Sequence, residues 1–251
     1  MLCFTGLLVL LAKIFFVFNS MNNRPEIIPA ILPRDFAELQ EKIELVKDSV
    51  KTVQIDICDG QFTPSASWPY RKRDDTFEKL KTEEEGLPDW EKLNFEIHLM
   101  VNKPEEVVDD WVSAGATRII LHVESKGDVG KAMAALEGRV EVGLALNIDT
   151  PLEEVQNSKF KIQNLDGISV IQLMGIDHIG FQGQEFDAKV IDKINKVRAT
   201  YPNIPISIDG GVSLENAKQL VDAGATRLVV GSAIFESDNY VEAIKKFKAI
   251  T

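Results

Sequence analysis

Val53-Gln-Ile-Asp-Ile-Cys-Asp-Gly60 decides how the chain is read. Val53, Ile55 and Ile57 alternate with Gln54, Asp56 and Cys58, so in a strand the two sets lie on opposite faces. One face is aliphatic and suits packing against a helix. The other carries an amide, a carboxylate and a thiol. Unpaired polar groups cost free energy when buried, so aligning three of them inward points to a use. Asp59-Gly60 closes the strand with a turn signal. Far downstream, Pro205-Ile-Ser-Ile-Asp-Gly-Gly211 repeats the design: a short apolar strand ends in a carboxylate, Asp209, followed by two glycines. The chain reads as a scaffold that holds Asp56 and Asp209 across one pocket.

Working outward, apolar runs read as strands at Ile27–Leu32, Val53–Cys58, Phe95–Val101, Ile119–Val123, Val140–Leu146, Ile168–Leu173, Ile204–Ile208 and Leu228–Gly231. Between them, Pro33 and Asp35 open a helix with Phe36, Leu39, Ile43 and Val46 at helical spacing. Further helices are expected at Thr76–Glu85, from Pro104, and at Thr150–Gln156, Asp187–Thr200, Leu214–Ala223 and Asn239–Lys248. The segment from Gln61 to Asn94 is the least legible. Ala114-Gly-Ala-Thr-Arg118 recurs as Ala223-Gly-Ala-Thr-Arg227, each copy ending a helix and entering a strand, with Gly115 and Gly224 suited to the left-handed closing position. Alternating strands and helices over 251 residues predict a closed (β/α)8 TIM barrel. An open doubly wound sheet is the alternative, but no Gly-x-Gly-x-x-Gly follows the first strand.

The formal charge of −11 and the single short basic run, Arg71-Lys72-Arg73, exclude a nucleic-acid footprint. They leave room for an anionic substrate held by backbone amides. Cys3 and Cys58 make no disulfide framework, which suits a reducing compartment. Residues 1–21 form an apolar leader, and 22–251 read as one barrel domain. Leu2 to Phe18 lacks a positive start and carries Lys13 in its middle, so three readings compete. Translation begins at Met21, or the leader is a weak membrane anchor, or it is a poor signal sequence. The first is favoured, and it makes the barrel cytoplasmic.

In such barrels chemistry sits at the carboxyl ends of the strands. The polar residues there are Gln54, Asp56, His98, His122, Asn147, Asp209 and Ser232. Alone, Asp56 or Asp209 reads as a loop cap; together, each after an apolar strand, they suit an acid and a base on two faces of one substrate. A lone His98 on an apolar strand is more often a core residue, yet with both aspartates it completes a donor set for zinc, iron or manganese. His122 reads as barrel lining, and His178 lies in a loop. Gly180 and Gly183, Gly210 and Gly211, and Gly231 with Ser232 form turns after three consecutive late strands, where such barrels cradle phosphate.

These residues resemble the ribulose-phosphate 3-epimerase family from about Ile27 to Phe247. The resemblance rests on Ile28-Pro-Ala-Ile-Leu32, Ile55-Asp-Ile-Cys-Asp-Gly60, His98-Leu-Met100, His122-Val-Glu124, Gly180-Phe-Gln-Gly-Gln184, Asp209-Gly-Gly211 and Gly231-Ser-Ala-Ile-Phe235, in the family's order. It implies a barrel of the ribulose-phosphate-binding type and a ketose phosphate substrate. It implies proton shuttling by Asp56 and Asp209 at carbon 3, a divalent metal on Asp56, His98 and Asp209, and phosphate at Gly180, Gly183, Gly210, Gly211, Gly231 and Ser232. Family-like barrels often associate, so a homo-oligomer is one expected state. The chain departs from the family at Gln54, where a fourth ligand, histidine, is expected, and at Ala30 for serine and Cys58 for methionine. Ile179 and Gln182 stand for proline and glycine, and Ser65 to Arg73 also differs. An amide oxygen is a weaker ligand than imidazole and shifts preference toward magnesium or manganese. Alternatively Gln54 donates directly to the substrate oxygen. Other readings are a phosphosugar-binding barrel without catalysis, and a related phosphorylated substrate with different chemistry such as decarboxylation.

Overall fold

In the computed structural model, which describes residues 24–72, 75–156, 165 and 167–250, eight parallel strands close on themselves in chain order. They are β1 Glu26–Ile31, β2 Thr52–Cys58, β3 Asn94–Met100, β4 Arg118–His122, β5 Glu141–Leu146, β6 Ile168–Met174, β7 Ile206–Asp209 and β8 Arg227–Val230. The ring is sealed where β1 pairs with β8, Glu26 opposite Arg227 and Pro29 opposite Val230. The helices are α1 Phe36–Val46, α2 Asp75–Lys81, α3 Val108–Ser113, α4 Val129–Leu136, α5 Lys189–Thr200, α6 Ala217–Ala223, α7 Ser232–Phe235 and α8 Tyr240–Lys248. The expected leader lies outside the described residues. Among those described, no helix is long and apolar enough to cross a membrane.

The main core lies between the barrel and its helices. Val53, Ile55 and Ile57 of β2 join Phe95, Ile97 and Leu99 of β3 in it. From α1 the same cluster takes Phe36, Leu39, Ile43 and Val46. Asp35 caps α1 by accepting the Glu38 N–H at 3.0 Å, which satisfies one of the helix's orphan donors. Ile28, Ala30 and Val229 form a separate small cluster. The alternation read in β2 therefore holds: one set of side chains feeds the outer core and the other enters the barrel.

The repeated Ala-Gly-Ala-Thr-Arg joint is used the same way twice, bond for bond. Gly115 at φ 101° and Gly224 at φ 118° close α3 and α6 in the left-handed region. Ala116 N–H then returns to Trp111 O and Ala225 N–H to Leu220 O, each at 3.0 Å. Thr117 and Thr226 each bond the preceding strand through both N–H and hydroxyl, at Phe95 O and Ile206 O respectively. The arginines that follow both reach the carboxylate of Glu96 at the amino end of the barrel. Arg118 Nη1 and Arg227 Nη2 donate to the same Oε2, at 2.5 and 2.7 Å. Arg118 also meets Glu141, and Arg227 meets Glu26 at 3.0 Å.

Several helices are shorter than their sequence periodicity predicts. The run expected from Thr76 to Glu85 stops at Lys81, because Glu83 takes a left-handed φ of 59°. The helix expected at Thr150–Gln156 is a 3₁₀ turn over Leu152–Gln156, and Pro104 opens a 3₁₀ turn before α3. The illegible segment after β2 is pinned by Trp68, whose fully buried ring packs against Phe36, Phe77 and Trp111 at centroid distances of 5.2, 5.6 and 6.0 Å.

Glu96 is fully buried, so replacing it leaves two guanidinium groups without their shared partner. Glu96→Ala is expected to lower unfolding free energy by about 3–5 kcal/mol, measured by urea denaturation.

Candidate active site

Asp56 and Asp209 leave β2 and β7, three strands apart around the ring, and converge on one imidazole. His98 Nδ1 lies 3.1 Å from Asp56 Oδ1 and 3.1 Å from Asp209 Oδ2. These ligand atoms all lie within 4.8 Å of one another, and all three residues are buried. Gln54 sits below them, fully buried, with Nε2 donating to Asp56 Oδ1 at 2.7 Å and Asp209 Oδ2 at 2.8 Å. Gln172, from β6, donates to the same Asp209 oxygen at 2.8 Å. Gln172 was not singled out in the sequence. The signal was there, since Val170, Gln172 and Met174 alternate as Gln54 and Asp56 do.

Burial, and then the charge of Asp209, raise the Asp56 carboxyl above the usual carboxylate range. For His98, burial acts to lower the imidazole, but hydrogen bonds and charge from Asp209 and Asp56 outweigh it and raise the ring to about 10.

Above this group lies a cleft that opens to solvent. Gly180, Gly183, Gly210, Gly211, Gly231 and Ser232 all line it, together with Asp56, His98 and Asp209. Among the described residues, no lysine or arginine does. An anion there would therefore rest on backbone N–H groups. Gly211 takes a φ of 67°, and a Cβ on it would stand 2.8 Å from the Phe186 backbone. Gln54 lies beneath Asp56 and Asp209, bonded to both, and is not among the residues that line the cleft. Gln182 does line the cleft; its Nε2 reaches Ala30 O at 3.2 Å, beside Gly231.

The surrounding loops are held by polar latches. Asp59 accepts the N–H groups of Gln61 and Phe62 at 2.8 Å and that of Asn102 at 2.7 Å, linking the loops after β2 and β3. Ser65 Oγ donates to Gly180 O, linking the β2 and β6 loops across the mouth. Lys193, on α5, donates to Asn147 O and Thr150 O after β5, at 2.5 and 2.8 Å. Burial lowers its ammonium to about 8. His178 is exposed and pairs with Asp177, outside the group.

A profile of the ribulose-phosphate 3 epimerase family matches residues 26–235. The chain belongs to that family. Among family relatives, the chloroplastic ribulose-5-phosphate-3-epimerase of Arabidopsis thaliana is 31% identical over 88% of this chain and 75% of its own length. The ribulose-phosphate 3-epimerase of Synechocystis is 31% identical over 89% of this chain and 93% of its own, and that of Escherichia coli K12 is 28% identical over 89% and 94%. Among solved structures, KGPDC from Streptococcus mutans shares the fold at a TM-score of 0.62 and 16% identity, covering 89% of this chain and 95% of that one. Family membership agrees with the closed barrel and with the order of strand-end residues. Ala30 and Gln182 line the cleft, and Gln54 lies beneath its aspartates.

Two outcomes follow from the geometry. Gly211→Ala combines a left-handed φ with a backbone clash and is expected to cost more than about 1 kcal/mol and to weaken phosphate binding, read by calorimetry. A Lys193 value near 8, against an ordinary 10.5, means the unfolded chain binds more protons between those pH values. The stability of the parent relative to Lys193→Met should therefore rise as pH is raised through that window. Parallel stability curves for the two proteins would refute this.

Proposed function

We propose that this protein is an isomerase that epimerises a pentulose phosphate, D-ribulose 5-phosphate to D-xylulose 5-phosphate, by 1,1-proton transfer between Asp56 and Asp209. The observation that carries the reading is the convergence of two buried carboxyls from β2 and β7 on His98, directly under a glycine-lined cleft with no lysine or arginine among its described lining residues. Two carboxyls so close favour a state in which one is protonated and one is not, which supplies an acid and a base together. One takes the proton from carbon 3 on one face of the sugar, and the other returns a proton to the opposite face. The cleft glycines and Ser232 hold the phosphate and set carbon 3 over the pair. In this reading the enzyme works in the cytoplasm, where the free thiol of buried Cys58 suits a reducing compartment.

The family implies a divalent cation, and the residues fit one. Asp56, His98 and Asp209 offer three ligand atoms in one buried group, and Gln54 Oε1 is buried without a hydrogen-bond partner. With its amide turned over, Gln54 would present that oxygen as a fourth donor; as it stands, its nitrogen donates a hydrogen bond to each carboxyl. A cation held there would stabilise the negative charge that develops on the substrate oxygen as the neighbouring proton leaves. The donor set of three oxygens and one nitrogen suits manganese or magnesium better than a set with two imidazoles would.

Exchange of the carbon-3 proton of ribulose 5-phosphate in heavy water, followed by NMR with zinc, iron, manganese or magnesium in turn, tests the reading. Exchange is expected, falling about 10²-fold or more in Asp56→Asn. Absence of exchange with every metal, or an unaffected variant, would refute it. The Gln54 amide already bridges the two carboxylates, which favours one second reading, a phosphosugar-binding barrel without catalysis. Tight sugar-phosphate binding without exchange is its signature.

A further inference from the structure

Behind the Asp56–His98–Asp209 group runs a chain of hydrogen bonds that the proton transfer does not use. His98 turns Nδ1 to the two aspartates and its other ring nitrogen, Nε2, to Nε2 of His122 at 2.9 Å. The rings are inclined by 24° with centroids 5.0 Å apart, so they meet edge to edge in nearly one plane, as an N–H···N bond requires. His122 Nδ1 lies 3.0 Å from Glu124 Oε2, and Glu124 Oε1 accepts the Asn147 N–H at 2.7 Å. Both imidazoles are fully buried, and the ring of Phe62 covers His122 at 5.0 Å.

The order of hydrogens along this chain follows from what each group can do. An ionised carboxylate only accepts, so His122 holds a hydrogen on Nδ1. A neutral His122 then has its lone pair on Nε2. The hydrogen in the gap must belong to Nε2 of His98. We propose that His122 and Glu124 are positioning residues that fix His98 in the form carrying hydrogen on Nε2, which reserves Nδ1 for the aspartates or for a cation between them. This rests on the reading of Asp56, His98 and Asp209 as the working group. A ligating histidine commonly fixes its free N–H on a carboxylate or carbonyl; here a second imidazole stands between ring and carboxylate. The competing order, with the gap hydrogen on His122, would oblige a neutral His98 to keep its hydrogen on Nδ1 and close that nitrogen to a cation.

The chain has only three histidines, and His178 is exposed, so a ¹⁵N-histidine NMR spectrum of the whole protein resolves each ring. The hydrogen is expected on Nε2 of His98, with coupling through it to a lone-pair Nε2 on His122. A hydrogen residing on His122 Nε2, or no coupling between the rings, overturns the proposal. Glu124→Leu should abolish the coupling and weaken zinc retention, measured against a chelator, about 10–100-fold. Glu124→Gln, whose amide oxygen still accepts, should restore both. Unchanged His98 signals in Glu124→Leu, or equal loss in both variants, overturns it as well. The spectrum needs no substrate: coupled rings in a protein that fails to exchange the carbon-3 proton would remove the epimerase reading and leave this one standing.

Discussion

Two carboxylates facing each other within a few ångströms, largely shielded from water, are the constraint around which the barrel interior is arranged. Their ligand atoms lie within 4.8 Å. Two full negative charges at that distance repel by about 3–4 kcal/mol at an effective dielectric constant near 20. Each neighbour answers that repulsion. His98 stands equidistant between them, Gln54 donates to both from beneath, and Gln172 donates to Asp209 from the side. Burial and the charge of Asp209 raise the Asp56 carboxyl above the usual carboxylate range. Readiness to take up a proton or a cation is thus a property of the folded interior before any ligand arrives.

The opposite end of the barrel handles charge in the reverse sense. There a single carboxylate, Glu96, serves two guanidinium groups, with Glu26 and Glu141 at the flanks. No cleft lining includes these residues among those described for the mouth. Barrels of this kind separate stability at the amino ends of the strands from chemistry at the carboxyl ends. Here both ends use buried ions. At the amino end carboxylates and guanidinium groups pair with one another, whereas at the mouth two carboxyls share a single imidazole.

The strands were legible because their side chains obey a period of two and their outer faces are aliphatic. Gln54 and Asp56 stood out for the same reason. Gln172 obeys that rule too and escaped notice because it lies far from any carboxylate in sequence; only closure of the ring brings it to Asp209. The segment after β2 is hard to read because its anchor, Trp68, packs on Phe36 and Trp111 from outside the segment as well as on Phe77 within it. Asp59 reads as a turn former in sequence, and one of its oxygens does cap its own loop. The other holds the loop after β3, which no local pattern announces. Likewise the quoted His122-Val-Glu124 says nothing of the tautomer of a third residue until the rings are seen in one plane.

The repeated joint carries a consequence for the geometry of the whole ring. Arg118 opens β4 and Arg227 opens β8, half a barrel apart, so the two joints are related by an approximate twofold rotation about the barrel axis. Glu96 pairs in register with Arg118, and Ser207 pairs with Arg227. Ser207 is therefore the rotational counterpart of Glu96, and its buried hydroxyl lacks a hydrogen-bond partner among the described residues. Two residues further along the same strands, the counterparts are His98 and Asp209. The pseudo-symmetry that shapes the scaffold is broken at its two axial positions, by acid against hydroxyl below and by imidazole against carboxylate above. A strictly twofold ring would place like groups face to face at the mouth; the inequality of its halves is what gives the pocket two chemically distinct sides.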